Sequence, residues 1–289
     1  MVSDGRRWVL PSFLTSAVLA GGNAVGIRFS NRELAPLWGA GLRFGAAGVL
    51  LLIVMAVLRL PLPRGRAWAG PVVYGVLNFA AGFALAYYAL QHMHAGFAQT
   101  LLALVPLITL LLAVLEGQER LRPMSVAGTL LAFGGVVVMS RAPLDEPIPL
   151  TALLAALASA VCLAQTAVLI HRLPNAHPVT TNAIGMAIGA AILLAWSAVV
   201  GESWQAPQLT ATWVALAYLV VPGSIGVFVL YLIVLRHWPA SRAAYIMVVI
   251  PFVTVLLSAW LDDEPLQAAV LMGGLLVIAG VYVGALRRA

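Results

Sequence analysis

The sequence predicts an all-α membrane protein of ten transmembrane helices, arranged as two five-helix repeats of opposite orientation with both termini in the cytoplasm. Three observations predict it. The 289 residues are 62% hydrophobic and only 9% charged, with a mean hydropathy of +1.00, where a soluble domain carries roughly a quarter charged residues. The apolar residues fall into ten stretches, each long enough to cross a hydrocarbon core of about 30 Å with roughly 20 residues. The chain also matches itself when one half is laid on the other.

The first stretch, 8–28, begins within "GRRWVLPSF" at 5–13. Paired arginines before an apolar run can open a secretory or twin-arginine signal. No convincing cleavage site follows and nine further spans do, so this is read as an uncleaved first helix. It places Ser12, Ser16 and Asn23 on one face, at spacings of four and seven. The second stretch, 35–58, is led by proline in "APLWGAGLRF" and contains Arg43. The third, 67–90, sets Tyr74 and Asn78 four apart, with Pro71, Gly75 and Gly82 loosening the helix before Tyr87 and Tyr88. The fourth, 93–115, contains Gln99, Thr100 and Pro106, and the fifth, 123–140, contains Gly128 and Gly135.

The sixth stretch, 149–170, places Ser159, Cys162 and Thr166 on one face with Gln165 beside them. The seventh, 178–200, opens with proline in "HPVTTNAIGM". The eighth, 211–235, carries Pro222-Gly223-Ser224 in mid-span and then Tyr231. A Pro-Gly pair there frees backbone carbonyls and kinks the helix. The ninth, 239–261, begins with Arg242 and Tyr245 and contains Pro251, and the tenth, 266–286, contains Gly273 and Gly280.

A shift of 145 residues superposes Pro106 on Pro251, Glu119 on Glu264, His92 on His237, Thr109 on Thr254, Gly128 on Gly273 and Gly135 on Gly280. Positions 90–138 give 16 identities in 49 ungapped pairs. Apolar bias does not account for the paired Pro, His, Glu and Gly. Nearer the start the shift is 143, placing Ser16-Ala17-Val18 on Ser159-Ala160-Val161 and Asn23 on Thr166. The chain therefore divides into residues 1–142 and 143–289, each of five spans. Five is odd, so the second copy enters the membrane from the opposite side, which is the inverted repeat of alternating-access transporters.

All 16 positive charges are arginine. Eleven (Arg6, Arg7, Arg59, Arg64, Arg66, Arg120, Arg122, Arg172, Arg236, Arg287, Arg288) fall on the side of the N-terminus and three (Arg28, Arg32, Arg141) on the other. By the positive-inside rule both termini are cytoplasmic. Arginines at span ends form no basic patch, so nucleic acid is excluded as a partner despite the net charge of +6. The single cysteine, Cys162, excludes an intramolecular disulfide.

Each half carries an early polar helix, a proline-led second helix, and the pattern P-x12-E followed by G-x6-G: Pro106–Glu119 with Gly128–Gly135, then Pro251–Glu264 with Gly273–Gly280. This resembles the EamA repeat of the drug/metabolite transporter superfamily, over essentially the whole chain. The resemblance implies ten helices and a central cavity lined mainly by the first, third and fourth helix of each half. It also implies a bacterial inner-membrane exporter of amino acids or related metabolites, aromatic amino acids among them.

Polar residues at membrane depth need a partner or a water-filled cavity and are functional candidates by default. The serines of the first and sixth helices read as contacts that let backbones approach, together with "GNAVG" at 22–26 and "GLRFG" at 41–45. Asn23, Tyr74, Asn78, Tyr88, Gln99, Gln165, Tyr231, Arg242 and Tyr245 are the substrate-facing candidates. Pro106, Pro222, Gly223 and Pro251 are the candidate helix breaks. Arg242 serves equally as a positive-inside anchor. Arg43 costs roughly 2.5–3.5 kcal/mol at mid-helix; it can meet a substrate carboxylate, snorkel, or clamp backbone carbonyls, and the structural role is favoured.

No Asp or Glu lies inside a span, which argues against the glutamate-based cation/proton exchange of small multidrug antiporters. What remains is a facilitator or exchanger of neutral or zwitterionic solutes, or coupling through histidine. "HMH" at 92–94 cannot put both rings on one side of a helix, and the acidic turn Asp262-Asp263-Glu264 reads as solvated. No metal, cofactor or hydrolase signature is present. The expected partners are a small-molecule substrate and the lipid bilayer, with the oligomeric state open. The rivals are a transporter of another metabolite or drug class, a membrane-embedded lipid-modifying enzyme, which lacks the clustered acids it needs, and a passive scaffold, which leaves the duplicated polar stripe unexplained.

Overall fold

Long apolar runs whose polar backbone finds no water must close their hydrogen bonds internally, and helices do this. The computed structural model describes residues 8–92, 101–139, 149–174, 176–261 and 268–286. Among them all ten expected helices are found. They are α1 (Val9–Ser30), α2 (Pro36–Val57), α3 (69–92), α4 (Val105–Leu115), α5 (Pro123–Met139), α6 (Leu150–Arg172), α7 (Pro178–Val200), α8 (Thr210–His237), α9 (240–261) and α10 (268–286). Six spans, in α1, α2, α3, α6, α7 and α8, are long and apolar enough to cross a membrane on their own. The beginning of the fourth stretch, including Gln99, lies outside the described residues.

Proline starts several helices because its missing N–H is not needed in the first turn; Pro36, Pro106 and Pro178 all sit there. Pro251 instead lies inside the Ile246–Leu261 part of α9. The two matched prolines therefore act differently. The chain turns just ahead of Pro106 and starts a new helix, whereas Pro251 takes one bond out of a running helix.

The packing is reciprocal. α2 lies along α7, and α5 lies along α10. α1 packs between α8 and α9 of the other half, while α6 packs between α3 and α4. The matched glycines make the α5–α10 contact possible. A Cβ on Gly128 would stand 2.5 Å from the Gly284 Cα, one on Gly135 2.6 Å from the Gly273 carbonyl oxygen, and one on Gly280 2.5 Å from the Ala132 nitrogen. Between apolar helices in lipid, such close backbone approach is a main source of association. α2 and α7 meet in the same way, with Gly41 against Leu194 and Gly48 against the Ala187 backbone.

The glutamates at the helix ends hold the frame. Gly201 takes the left-handed conformation (φ 75°) that ends α7, and this turn sets Glu202 against α2. Its carboxylate accepts from the Leu37 N–H (3.1 Å), the Trp38 N–H (2.8 Å) and the Ser197 hydroxyl (2.7 Å). Glu33 accepts from the Gln208 and Leu209 N–H groups and the Thr212 hydroxyl at the start of α8. Glu119 accepts from the Ser241 N–H (3.2 Å) and hydroxyl (2.5 Å) at the start of α9. A carboxylate at a helix N-terminus satisfies orphan donors and meets the positive end of the dipole.

Candidate functional site

α3 and α8 are the interrupted pair. α3 is π-wound over Tyr74–Gly82 and α8 over Val221–Gly226. Such widened turns leave backbone groups out of the regular ladder and occur often at functional sites. Side chains of the opposite half reach them. The Ser16 hydroxyl (α1) donates to the Val227 carbonyl at 3.1 Å, and the Ser159 hydroxyl (α6) donates to the Gly82 carbonyl at 2.8 Å. Gly82 and Val227 are themselves 145 residues apart, so the bond is duplicated with the sequence.

The Pro222-Gly223-Ser224 turn collects a denser set. The Asn23 side-chain N–H donates to the Gly223 carbonyl at 3.0 Å. Arg43, 1% exposed, donates from Nη2 to the same carbonyl at 2.9 Å and from Nε to the Ser224 hydroxyl oxygen at 2.7 Å. Ser224 in turn donates to the Leu219 carbonyl at 2.7 Å. The guanidinium lies 5.0 Å from the Phe44 ring centroid and 5.5 Å from that of Phe83, with Tyr87 beside it. Arg43 thus clamps a backbone carbonyl, the role the sequence favoured.

At the centre, α3, α4, α6, α8 and α9 enclose a cavity of about 30 Å³, lined by Asn78 and Tyr231 with Val105, Leu163, Phe228 and Met247. Ligand sites commonly measure about 300–1,000 Å³, and this one has room for a water or two. The Asn78 Nδ2 and the Tyr74 hydroxyl are buried without a hydrogen-bond partner, a state that native cores avoid unless water or a ligand supplies the bond. Aromatic rings connect this cavity to Arg43. Phe44 stands 5.0 Å from Phe79 and 4.7 Å from Phe83, Phe79 stands 4.9 Å from Phe228, and Tyr74 stands 5.0 Å from Phe79.

A larger groove of about 590 Å³ opens on the flank between α2, α3 and α7, walled by Val76, Ala84, Leu85, Ile192 and Trp196. Tyr88 lies there, 41% exposed, with its hydroxyl on Thr151 at 3.2 Å. The groove's lining is mostly apolar, with Tyr88, Gln91 and Glu202 as its polar residues.

Of the sequence candidates, Asn78 and Tyr231 meet at the centre, Tyr74 lies against the same aromatic cluster, and Asn23 joins the Gly223 node. Gln165 is drawn elsewhere: its Nε2 donates to Glu116 Oε1 at 2.6 Å, in a group completed by Gln118 and Arg172. The Tyr245 hydroxyl donates to the Ser125 carbonyl at 2.9 Å and lies 2.8 Å from the Thr129 hydroxyl, joining α9 to α5. The Arg242 guanidinium lies over the Trp238 ring at 4.2 Å. Glu116 and Ser224 are hydrogen-bond partners of Gln165 and Arg43 that were not among the sequence candidates. Ser224 was legible as a hydroxyl beside a Pro-Gly break, while Glu116 gave no signal. Among the described residues, no three His, Cys, Asp or Glu side chains gather as a metal site would require.

The EamA-like transporter family model matches this chain twice, at residues 7–141 and 150–285. An uncharacterized inner membrane transporter of Escherichia coli (strain K12), YedA, is 28% identical over 282 residues, covering 96% of this chain and 92% of that protein. An uncharacterized transporter of Bacillus subtilis (strain 168), YvbV, is 26% identical over 248 residues, covering 85% and 81%. A protein crystal structure superposes with a TM-score of 0.79 at 21% identity over 97% of both chains, which shows the shared fold. With two family matches spanning nearly all of its ten helices, the chain belongs to the EamA-like transporter family of the drug/metabolite transporter superfamily and is a multi-pass membrane transporter, not an enzyme.

Proposed function

We propose that this transporter exports small organic metabolites, amino acids above all and aromatic ones among them, by alternating access between residues 1–142 and residues 143–289. The carrying observation is the central chamber. Buried amide and phenol groups without partners, Asn78 Nδ2 and the Tyr74 hydroxyl, border a run of aromatic rings at the junction of the two halves. Rings receive an apolar side chain, and the amide and hydroxyls meet a zwitterion. The π-wound turns of α3 and α8 serve as the flexing elements of alternating access.

The test is flux into proteoliposomes with a labelled panel of aromatic, aliphatic and polar amino acids, with and without a proton gradient. Saturable flux of at least one aromatic member above empty vesicles is expected, without gradient-driven accumulation. No flux for any amino acid would overturn the reading.

A further inference from the structure

Arg43 carries a full charge into a site that offers it only neutral partners. It is 1% exposed, and its contacts, Gly223, Ser224, Tyr87 and the Phe44 and Phe83 rings, are all uncharged. Nε and Nη2, the side-on edge of the guanidinium, are seated on two oxygens, those of Ser224 Oγ at 2.7 Å and the Gly223 carbonyl at 2.9 Å. That is the fork geometry in which an arginine grips the two oxygens of a carboxylate. Nη1 has no partner. A clamp for a kinked helix needs hydrogen bonds, not a net charge, and a glutamine supplies the bonds at a smaller desolvation cost. Beyond its hydrogen bonds, the Arg43 charge meets only the Phe44 and Phe83 rings among the described residues, and no anion.

Asn23 supports the same point from α1. Its amide orientation is fixed, because the Gly223 carbonyl it faces accepts and cannot donate. The Oδ1 is therefore an acceptor, and it is buried without a partner against the Gly223 peptide. A cationic fork and an unpaired acceptor flank one peptide, at one end of the aromatic cluster.

We propose that the Nε–Nη2 edge of Arg43 is the binding site for the carboxylate of the transported solute, with the α8 turn at Gly223 and Ser224 holding its place in this conformation. The solute's two carboxylate oxygens exchange for the Gly223 and Ser224 oxygens as α8 withdraws, and Asn23 Oδ1 takes the ammonium of an amino acid. This rests on the export of amino acids proposed above and narrows it to solutes with a free carboxylate.

The experiment compares competitors of labelled L-phenylalanine counterflow in proteoliposomes: L-phenylalanine itself, L-phenylalaninamide and 3-phenylpropionate. In the wild type both carboxylates compete at concentrations at least tenfold lower than the amide. Arg43→Gln abolishes that preference, and the acid-to-amide ratio, not the absolute flux, carries the result. Ser224→Ala, which weakens the stand-in, shifts the ratio further toward the carboxylate, and this arm serves if Arg43→Gln does not fold. A wild type that treats acid and amide alike overturns the assignment while leaving amino-acid export standing, as does an unchanged ratio in both variants. Absence of all amino-acid counterflow removes the underlying export reading as well.

Discussion

The Ser159 hydroxyl donates to the Gly82 carbonyl at 2.8 Å, tying the first helix of one half to the π-wound third helix of the other. Ser16 repeats the bond on Val227 at 3.1 Å. Interhelical hydrogen bonds in membranes contribute about 0.6 kcal/mol on average. Ser16→Ala and Ser159→Ala should each lower stability in detergent by about 0.6–1 kcal/mol, by similar amounts in the two copies. Unfolding monitored by helix content checks this, and a large loss in only one copy would speak against a duplicated role.

The α5–α10 seam makes a sharper prediction. Gly128→Ala forces a Cβ against the Gly284 backbone and should cost about 1–3 kcal/mol. Gly134, with nothing within 4 Å of where its Cβ would stand, is the control. Gly134→Ala should be neutral or stabilising, by up to about 1 kcal/mol from helix propensity. Paired thermal unfolding curves separate the two.

A Cβ on Gly223 would collide with Asn23 Oδ1, so Gly223→Ala should destabilise the protein and slow transport. Asn23→Ala removes the colliding atom along with its bond to the Gly223 carbonyl. The double variant should therefore lose less than the sum of the singles, with a coupling on the order of 1 kcal/mol. Additive losses would mean that the two residues do not meet as described.

Hydrogen bonds from the Thr212 hydroxyl, then from the Leu209 and Gln208 N–H groups, hold the Glu33 carboxyl below its ordinary range against a smaller opposing effect of desolvation. A group with a lowered folded pKa contributes its stability fully above the unfolded value of about 4.3 and loses it as pH falls through the folded value. Acidification below about pH 4 should therefore loosen the start of α8, and Glu33→Gln should remove that part of the acid dependence. Unfolding temperatures measured from pH 7 down to pH 3 for both proteins test the sign.

The ten helices were legible because lipid imposes one rule on every span, and the duplication showed because proline, glycine and glutamate stood out against an apolar background. Partners were harder to read, since a helical wheel gives the face of a side chain but not its reach. Gln165 lies on the polar face of α6, yet its length carries it to Glu116, just past the end of α4. Tyr245 begins α9 as expected for a cavity residue, but its hydroxyl finds the Ser125 carbonyl on α5. Asn78 and Tyr231 both line the central cavity, Asn78 from the π-wound turn of α3 and Tyr231 from the regular helix that follows the one in α8.

The central claim is that the solute passes the cavity bordered by Asn78 and Tyr231. Counterflow of labelled L-phenylalanine in proteoliposomes, compared between the wild type and Asn78→Leu at matched unfolding temperature, tests it most directly. The account predicts saturable exchange in the wild type and a loss of about tenfold or more in the variant, the scale of one hydrogen bond to a charged group. Unchanged exchange in a folded Asn78→Leu protein would contradict it.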